Sequence, residues 1–182
     1  MPHVWLIAGY TGTGKTTAAH LLAKNLPNAR LTAFANQVKD EVATLYGLDR
    51  SLLDTQEGKA RIYAGITTYR DLLIAHSADM KRISSNPAIW AEHVKQEILQ
   101  SPEIENWVVH DWRYKAEYEC LASFQDIHLH IFRIRTKAPP PIEAQVSEHE
   151  LDTFPIETIV WNTGSIQELE QNLIQDILSL EK

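Results

Sequence analysis

Five apolar runs punctuate the chain, and each leads into a segment with a different spacing of hydrophobic positions. Val4, Trp5, Leu6, Ile7 and Ala8 form the first run. It is almost wholly apolar, as a parallel strand buried on both faces must be. Ala18, Leu21, Leu22 and Leu26 then recur at helical spacing, predicting a helix over 17–25 that Pro27 and Asn28 end. Residues 30–34 read as a second strand. Asn36 is placed to cap the next helix, Val38, Val42, Leu45 and Tyr46 give it one apolar face, and Gly47 stops it. Residues 48–66 hold no clear strand; Leu48, Leu52 and Leu53 suggest a short helical turn, and 57–63 a short helix. A helix over 69–78 opens at Thr67 and Thr68. Another starts at Asn86 and Pro87, carries Trp90, Val94 and Ile98, and ends before Pro102.

The strand pattern returns at 107–111, a run that finishes on Asp111. A helix over 114–123 follows, then a fourth strand over 127–134 and a fifth over 157–161. Ser165 and Glu168 make a capping box, and Ile166, Leu169, Leu173, Ile177 and Leu180 trace the inner face of a closing helix. Strands alternating with helices predict a parallel sheet covered on both faces. The largely helical residues 36–106 are far more than a crossover needs. An insertion of that kind commonly carries a substrate-binding region.

Composition narrows the classes. At 182 residues, 44% hydrophobic and 23% charged, the chain is expected to be one soluble domain. Its formal charge of −7 argues against a broad basic surface for nucleic acid. The lone Cys120 has no partner for an internal disulfide and reads as a core residue of a protein in a reducing, cytoplasmic setting. No run approaches the ~20 apolar residues that span a bilayer, and the N-terminus lacks the basic start of a signal peptide. His128 and His130 share a strand face, but no cysteine, acid or third histidine accompanies them at useful spacing, so no metal role is assigned to them.

The chemistry is concentrated after the first strand. Gly9, Gly14, Lys15 and Thr16 fit the pattern Gly-x4-Gly-Lys-Ser/Thr, in the strand–loop–helix setting that makes it a phosphate-binding loop. Backbone N–H groups of such a loop, and the helix start behind it, face phosphate oxygens. Lys15 would reach the β- and γ-phosphates and the Thr16 hydroxyl would hold Mg2+. Other candidates fall at the same sheet edge. Lys39 begins the second helix, Asp111 ends the third strand, and Arg113 lies two residues on. Asp111 reads as a holder of a metal-shell water, or else as a helix-start carboxylate or surface ion-pair partner. Arg133, Arg135 and Lys137 precede the stiff run Pro139, Pro140 and Pro141, suiting the end of that strand to phosphate oxygens.

Taken together these stretches resemble the P-loop kinases of small phosphorylated metabolites. The likeness is to the deoxynucleoside monophosphate kinases of phages and viruses and the related animal-type phosphomevalonate kinases. The segments that carry it are Phe34 to Glu41 with Lys39, Val108 to Glu117 with Asp111 and Arg113, Val146 to Leu151 with Ser147 and Glu148, and Ile159 to Ser165 with Asn162 and Gly164. Arg70, Asp71, Leu72 and Leu73, followed by Arg82, Asn86, Pro87 and Trp90, resemble the deoxynucleotide branch more closely, whereas Leu52 to Thr55 resembles the phosphomevalonate branch. Trp112 stands where the pattern has a small residue, and a ring there bears on the acceptor pocket.

The resemblance implies a three-layer α/β/α P-loop kinase fold with a five-stranded parallel sheet. Its single domain would have a core of 1–35, 107–135 and 156–182, a helical acceptor-binding region of 36–106 and a short lid of 136–155. It implies transfer from ATP, with Mg2+, to a small-molecule acceptor, a deoxynucleoside monophosphate. Gly9, Thr11, Gly12, Thr13, Gly14, Lys15, Thr16 and Thr17 would hold the donor phosphates, and Asn162 the adenine. Thr16 and Asp111 would serve the metal. Lys39, Arg70, Asp111, Trp112 and Arg113 would meet the acceptor, and Lys15, Arg113, Arg133, Arg135 and Asp111 the transferring group. No role is implied for Glu117 or Glu148. A homodimer is left open. Phosphomevalonate kinase activity and a nucleotide-dependent switch or assembly ATPase are the rival readings.

Overall fold

The computed structural model describes residues 1–137 and 149–177. In chain order the elements are β1 (His3–Ala8), α1 (Lys15–Asn25), β2 (Ala29–Thr32), α2 (Ala35–Tyr46), a 3-10 turn (Arg50–Asp54), α3 (Gln56–Lys59), β3 (Ile62–Tyr63), β4 (Thr67–Thr68), α4 (Tyr69–Ser84), α5 (Ile89–Gln100), β5 (Asn106–Val109), α6 (Lys115–Ala122), β6 (His128–Arg135), β7 (Ile159–Trp161) and α7 (Ile166–Asp176). Five strands form one parallel sheet in the order β2-β5-β1-β6-β7. All five match the apolar runs, with ends moved by one or two residues. β1 lies at the centre, so the loop after it opens at the middle of the sheet's C-terminal edge.

Two apolar clusters make the outer layers. Trp5, Ile7, Val108, Phe132 and Ile134 pack with Ala18, Ala19 and Leu22 of α1 and Leu169 and Leu173 of α7. Val4, Leu6, Trp107 and Val109 pack on the opposite face with Val38 and Val42 of α2, Leu72 of α4, Trp90, Val94 and Ile98 of α5 and Leu121 of α6. The alternation along β1 and β5 sends neighbouring side chains to opposite clusters, which gives three layers.

Several sequence expectations are corrected. α1 begins at Lys15 instead of residue 17, so Lys15 and Thr16 lie in its first turn. α4 continues to Ser84, past residue 78. The helix expected over 57–63 is only Gln56–Lys59, and Ile62–Tyr63 pairs antiparallel with Thr67–Thr68 in a hairpin too short for period-2 alternation to register. Asn36 does not cap α2, because it lies inside the first turn and the cap position is Phe34, whose own side chain cannot serve. Leu45 was expected on the apolar face of that helix but is 64% exposed. Leu180 lies outside the described residues.

His3 supplies the third histidine that spacing along the chain did not reveal. It pairs in register with His128, and its Nδ1 is 2.9 Å from Nε2 of His130. His130 in turn stacks on Trp5 at 4.0 Å. Among the described residues no group of three or more His, Cys, Asp or Glu is arranged to hold a metal ion.

The stretch 136–155 is not uniformly detached from the core. Leu151 is 5% exposed within the α2–α6 cluster, and Phe154 packs edge-on against Trp112 at 5.3 Å. Glu150 accepts a hydrogen bond from the backbone N–H of Lys115 at the start of α6. Pro139, Pro140, Pro141, Ser147 and Glu148 lie outside the described residues.

Candidate active site

The loop between β1 and α1 turns on two glycines. Gly9 has φ +145°, and a Cβ there would meet the carbonyl oxygen of Ile134 at 2.8 Å and Thr13 Oγ1 at 2.9 Å. Gly14 has φ +93° and lies against the side-chain amide of Asn162. Only a residue without a Cβ meets both demands, of torsion and of space. Thr13 closes the curl, donating from N and Oγ1 to the carbonyl of Tyr10. The Lys15 side chain folds back over the loop, and its Nζ donates to the carbonyls of Gly9 and Tyr10, both at 2.7 Å. Its ammonium is thus held at the mouth of the loop. Thr11, Gly12, Thr16 and Thr17 are exposed around that mouth.

Asn162 braces the loop from β7. Its Nδ2 donates to the carbonyl of Thr13 at 2.9 Å, and its backbone N–H donates to Arg135 at 2.7 Å. The expected adenine contact therefore shares this residue with a loop-supporting role that the sequence did not announce.

Asp111 has work within the fold. Its Oδ1 accepts from the N–H of Phe34 at 2.8 Å and its Oδ2 from that of Ala35 at 2.9 Å. It caps α2 from another strand, the helix-start alternative of the two left open, and supplies the cap that Phe34 lacks. Each oxygen keeps a second lone pair, which is what a metal-shell water would use. Trp112 is corrected more strongly. It is 1% exposed, donates its indole N–H to the carbonyl of Tyr114, stacks with Tyr118 and meets Phe154 edge-on. Most of the ring is core, and it reaches the site only as part of the wall of a small cleft.

That cleft is lined by Gly9, Tyr10, Trp112, Arg113, Arg133 and Asp152, among others. It brings two of the expected arginines to the loop. Arg133 is only 6% exposed and donates to the carbonyl of Leu151. Among the described residues its Nε has no hydrogen-bond partner. Burial, reinforced by Arg135, lowers the Arg133 pKa, and Asp152 opposes the shift. Tyr10 donates to Asp152 at 2.6 Å, and burial followed by that carboxylate pushes its phenol up to about 12. The phosphate loop is thus tied by the Tyr10 ring to residues just after the proline-rich stretch. Arg135 is exposed at the end of β6, close enough to act on both Tyr10 and Arg133.

A second group of cations stands on the α2 side. Lys39 bonds Asp54 Oδ1 at 2.8 Å, while Arg50 takes Asp54 Oδ2 at 2.8 Å. Arg70, on α4, donates to Gln56 of α3. Lys39, Arg70 and Arg113 all lie close enough to Lys59 to disfavour its charge. Asp54 also forms part of the wall of a cleft of about 550 Å3 between α2 and α5 that includes Phe34, Asn36, Gln37, Trp90 and Glu97.

Glu117 acquires a role here. Its Oε2 accepts from the N–H groups of Arg113 and Tyr114, both at 3.0 Å, fixing the backbone that presents Arg113. Burial pushes its carboxyl up to about 8; the two N–H bonds and Lys81 oppose this and Asp111 adds to it. The folded state therefore holds a proton that the unfolded chain releases near the ordinary glutamate value of 4.5, and stability falls as pH rises between about 4.5 and 8. The slope is up to about 1.4 kcal/mol per pH unit. Glu117→Gln keeps an acceptor oxygen and removes the titration. Chemical denaturation at pH 5 and pH 9 should show the variant gaining on the wild type at the higher pH. An equal difference at both would exclude a proton on this carboxyl.

No known family pattern matches the chain, and no curated protein matches it in sequence. Solved structures do share its fold. A sugar kinase from Janibacter sp. HTCC2649 superposes with a TM-score of 0.51 at 12% identity, covering 97% of this chain and 95% of that one. A Thermus thermophilus protein, TT1252, gives 0.54 at 14% identity, with 100% and 98% covered. The dephospho-CoA kinase of Campylobacter jejuni gives 0.51 at 11% identity, with 98% and 97% covered. The fold is that of the P-loop kinases over the full length of the chain.

Proposed function

We propose that the protein transfers the γ-phosphoryl group of ATP to the phosphate of a small molecule, a deoxynucleoside monophosphate. The observation that carries this reading is the placement of cations. Lys15 stands at the phosphate loop, Arg113 and Arg133 line the cleft beside Gly9, and Lys39 and Arg70 are both tied to the segment 54–56, through Asp54 and Gln56. A hydrolase that passes phosphate to water has no use for a second anion clamp. The cleft between α2 and α5 supports the nucleoside part, because Asn36, Gln37 and Glu97 offer both donors and acceptors beside Trp90 and Phe34.

In this reading an ionised oxygen of the acceptor phosphate attacks the γ-phosphorus in line. The new O–P bond forms as the bond to the bridging oxygen of ADP breaks, and the displaced electron pair stays on ADP. No strong base is required, since the attacking oxygen is already ionised near neutral pH. The protein's part is to position the two phosphates and to neutralise moving charge. Lys15 would stabilise charge on the β- and γ-oxygens, and Arg113 and Arg133 would face the group in transit. The hard oxygen donors suit Mg2+: the Thr16 hydroxyl would hold it, and Asp111, committed to α2, would act through a water. The ion supplies charge neutralisation across the donor phosphates.

The test is direct. The protein is incubated with ATP, Mg2+ and separate deoxynucleoside and ribonucleoside monophosphates, with phosphomevalonate as a further acceptor, and products are separated. A deoxynucleoside diphosphate with equimolar ADP is the expected result. ADP without any phosphorylated acceptor would overturn the transferase reading, and a product from phosphomevalonate alone would overturn the nucleotide assignment.

A further inference from the structure

Residues 149–154 follow the proline-rich stretch and are fastened to the body at three points. Leu151 is buried in the core, Phe154 meets the rings of Trp112 and Tyr118 edge-on at 5.3 and 5.0 Å, and Glu150 Oε1 accepts from the backbone N–H of Lys115 at 2.9 Å. The Asp152 side chain takes no part in these contacts. Its Oδ1 accepts from the Tyr10 hydroxyl at 2.6 Å and lies 3.8 Å from Nη1 of Arg133, while its Oδ2 is 2.9 Å from Nδ1 of His149. One carboxylate oxygen thus joins the residue after Gly9 to a cation near the end of β6.

We propose that Asp152 is a positioning residue of phosphoryl transfer: it holds the Arg133 guanidinium at the cleft beside Gly9 and, through Tyr10, keeps the loop after β1 in place against that arginine. This rests on the transferase reading above. Arg133 is 6% exposed; its Nη2 donates to the carbonyl of Leu151 and its Nη1 faces Asp152. Two of its three nitrogens are thus placed by adjacent residues of one short segment. Among the described residues Nε has no hydrogen-bond partner. The cleft that Arg133 lines has a volume of about 10 Å3, room for about one water, so the guanidinium has little space in which to turn. A planar fork fixed through two nitrogens has a defined plane. Tyr10 completes the arrangement. Its phenol, pushed up to about 12 by burial and then by Asp152, keeps its proton across the neutral range and so remains a donor. Its ring meets that of His149 edge-on at 5.5 Å.

The segment does not need Asp152 to stay in place, since Leu151, Phe154 and Glu150 already fix it. What Asp152 adds is a common reference for two groups that leave neighbouring strands. Ala8 pairs in register with Arg133, and Tyr10 follows two residues after Ala8. In the proposed reaction the phosphoryl group has to meet both the loop and the arginine, and a misplacement of about 1 Å between such groups can cost about a hundredfold in rate. The Asp152 side chain is 38% exposed, so its charge is screened and its hydrogen-bond geometry matters more than its field.

The experiment uses Asp152→Asn, which keeps the shape and removes the charge facing Arg133, and Tyr10→Phe, which removes only the hydroxyl. Asp152→Asn should lower kcat for the best acceptor of the panel roughly ten- to a hundredfold, with the KM for ATP and for the acceptor within about threefold of wild type. Tyr10→Phe should give part of that loss. Arg133→Met, which keeps a buried stem, tests the route: in its background Asp152→Asn should cost nothing further, whereas damage to the fold would subtract the same again. A readout that needs no acceptor is the affinity, by calorimetry, for ADP with Mg2+ and aluminium fluoride, a mimic of the group in transit, against ADP with Mg2+ alone. Asp152→Asn should weaken binding of the mimic and leave that of ADP unchanged. This result supports the positioning role even if no acceptor of the panel is phosphorylated, in which case the choice of acceptor alone falls. Unchanged kcat and unchanged mimic affinity in Asp152→Asn would overturn the proposal, as would a loss that persists in full beside Arg133→Met, or wild-type rates in Tyr10→Phe. Tighter binding of the mimic by Asp152→Asn would also overturn it, since the carboxylate would then be a competitor for Arg133.

Discussion

Lys15→Ala should reduce phosphoryl transfer by about 10²–10³-fold, the usual scale for removing a positioned donor from developing negative charge. The side chain is 9% exposed, and its Nζ donates to the carbonyls of Gly9 and Tyr10. It is therefore already at the loop mouth, and little conformational freedom remains to be lost when it exchanges a carbonyl for a phosphate oxygen. The substitution also removes two charge-assisted bonds to loop carbonyls, and with them the cost of desolvating the ammonium. The melting temperature should move far less than the rate, because the curl is held independently by Thr13 on Tyr10 and by Asn162 on Thr13. Single-turnover rates, ATP affinity and thermal denaturation separate the two effects. A variant with near-normal transfer would remove Lys15 from the reaction and with it the central assignment.

What could be read beforehand followed from how local each signal is. β1, β5 and β6 are buried on both faces at their centres, so they show as apolar runs whatever lies next to them. The phosphate loop is equally local, since its glycines, Lys15 and Thr16 act within one turn. The capping of α2 is not. Asp111 reaches Phe34 and Ala35 across 77 and 76 residues, and Asn36 looked the better cap because it was nearer. Trp112 looked like an acceptor contact because its ring stands where the resembled pattern has a small residue, but Tyr118 and Phe154 take it into the core. Arg133 continued an apolar alternation with Leu129 and Ile131, and its burial is the literal outcome of that pattern. His3 left no trace because it meets His128 and His130 only through the register of β1 on β6.

Replacing Arg113 by Ala is expected to change both kcat and the acceptor KM. Arg113 lines the cleft with Gly9, Tyr10 and Arg133, next to the proposed donor loop. In the proposed reaction it would face both the acceptor phosphate and the group in transit. A group that touches only the acceptor phosphate loses binding when removed, whereas one that faces the transferring phosphoryl loses stabilisation made in the transition state. For Arg113→Ala we expect kcat/KM for the acceptor to fall by about 10²–10³-fold, with at least tenfold of it in kcat. The KM for ATP should change little, because Lys15 and the loop are left in place. Arg113→Lys should recover only part of the loss, since an ammonium cannot grip two oxygens in the planar, bidentate way of a guanidinium. The backbone at Arg113 stays fixed in both variants by Glu117, which accepts from its backbone N–H. A change in KM alone would place Arg113 with the acceptor ligands, and unchanged kinetics for every acceptor would remove it from the site.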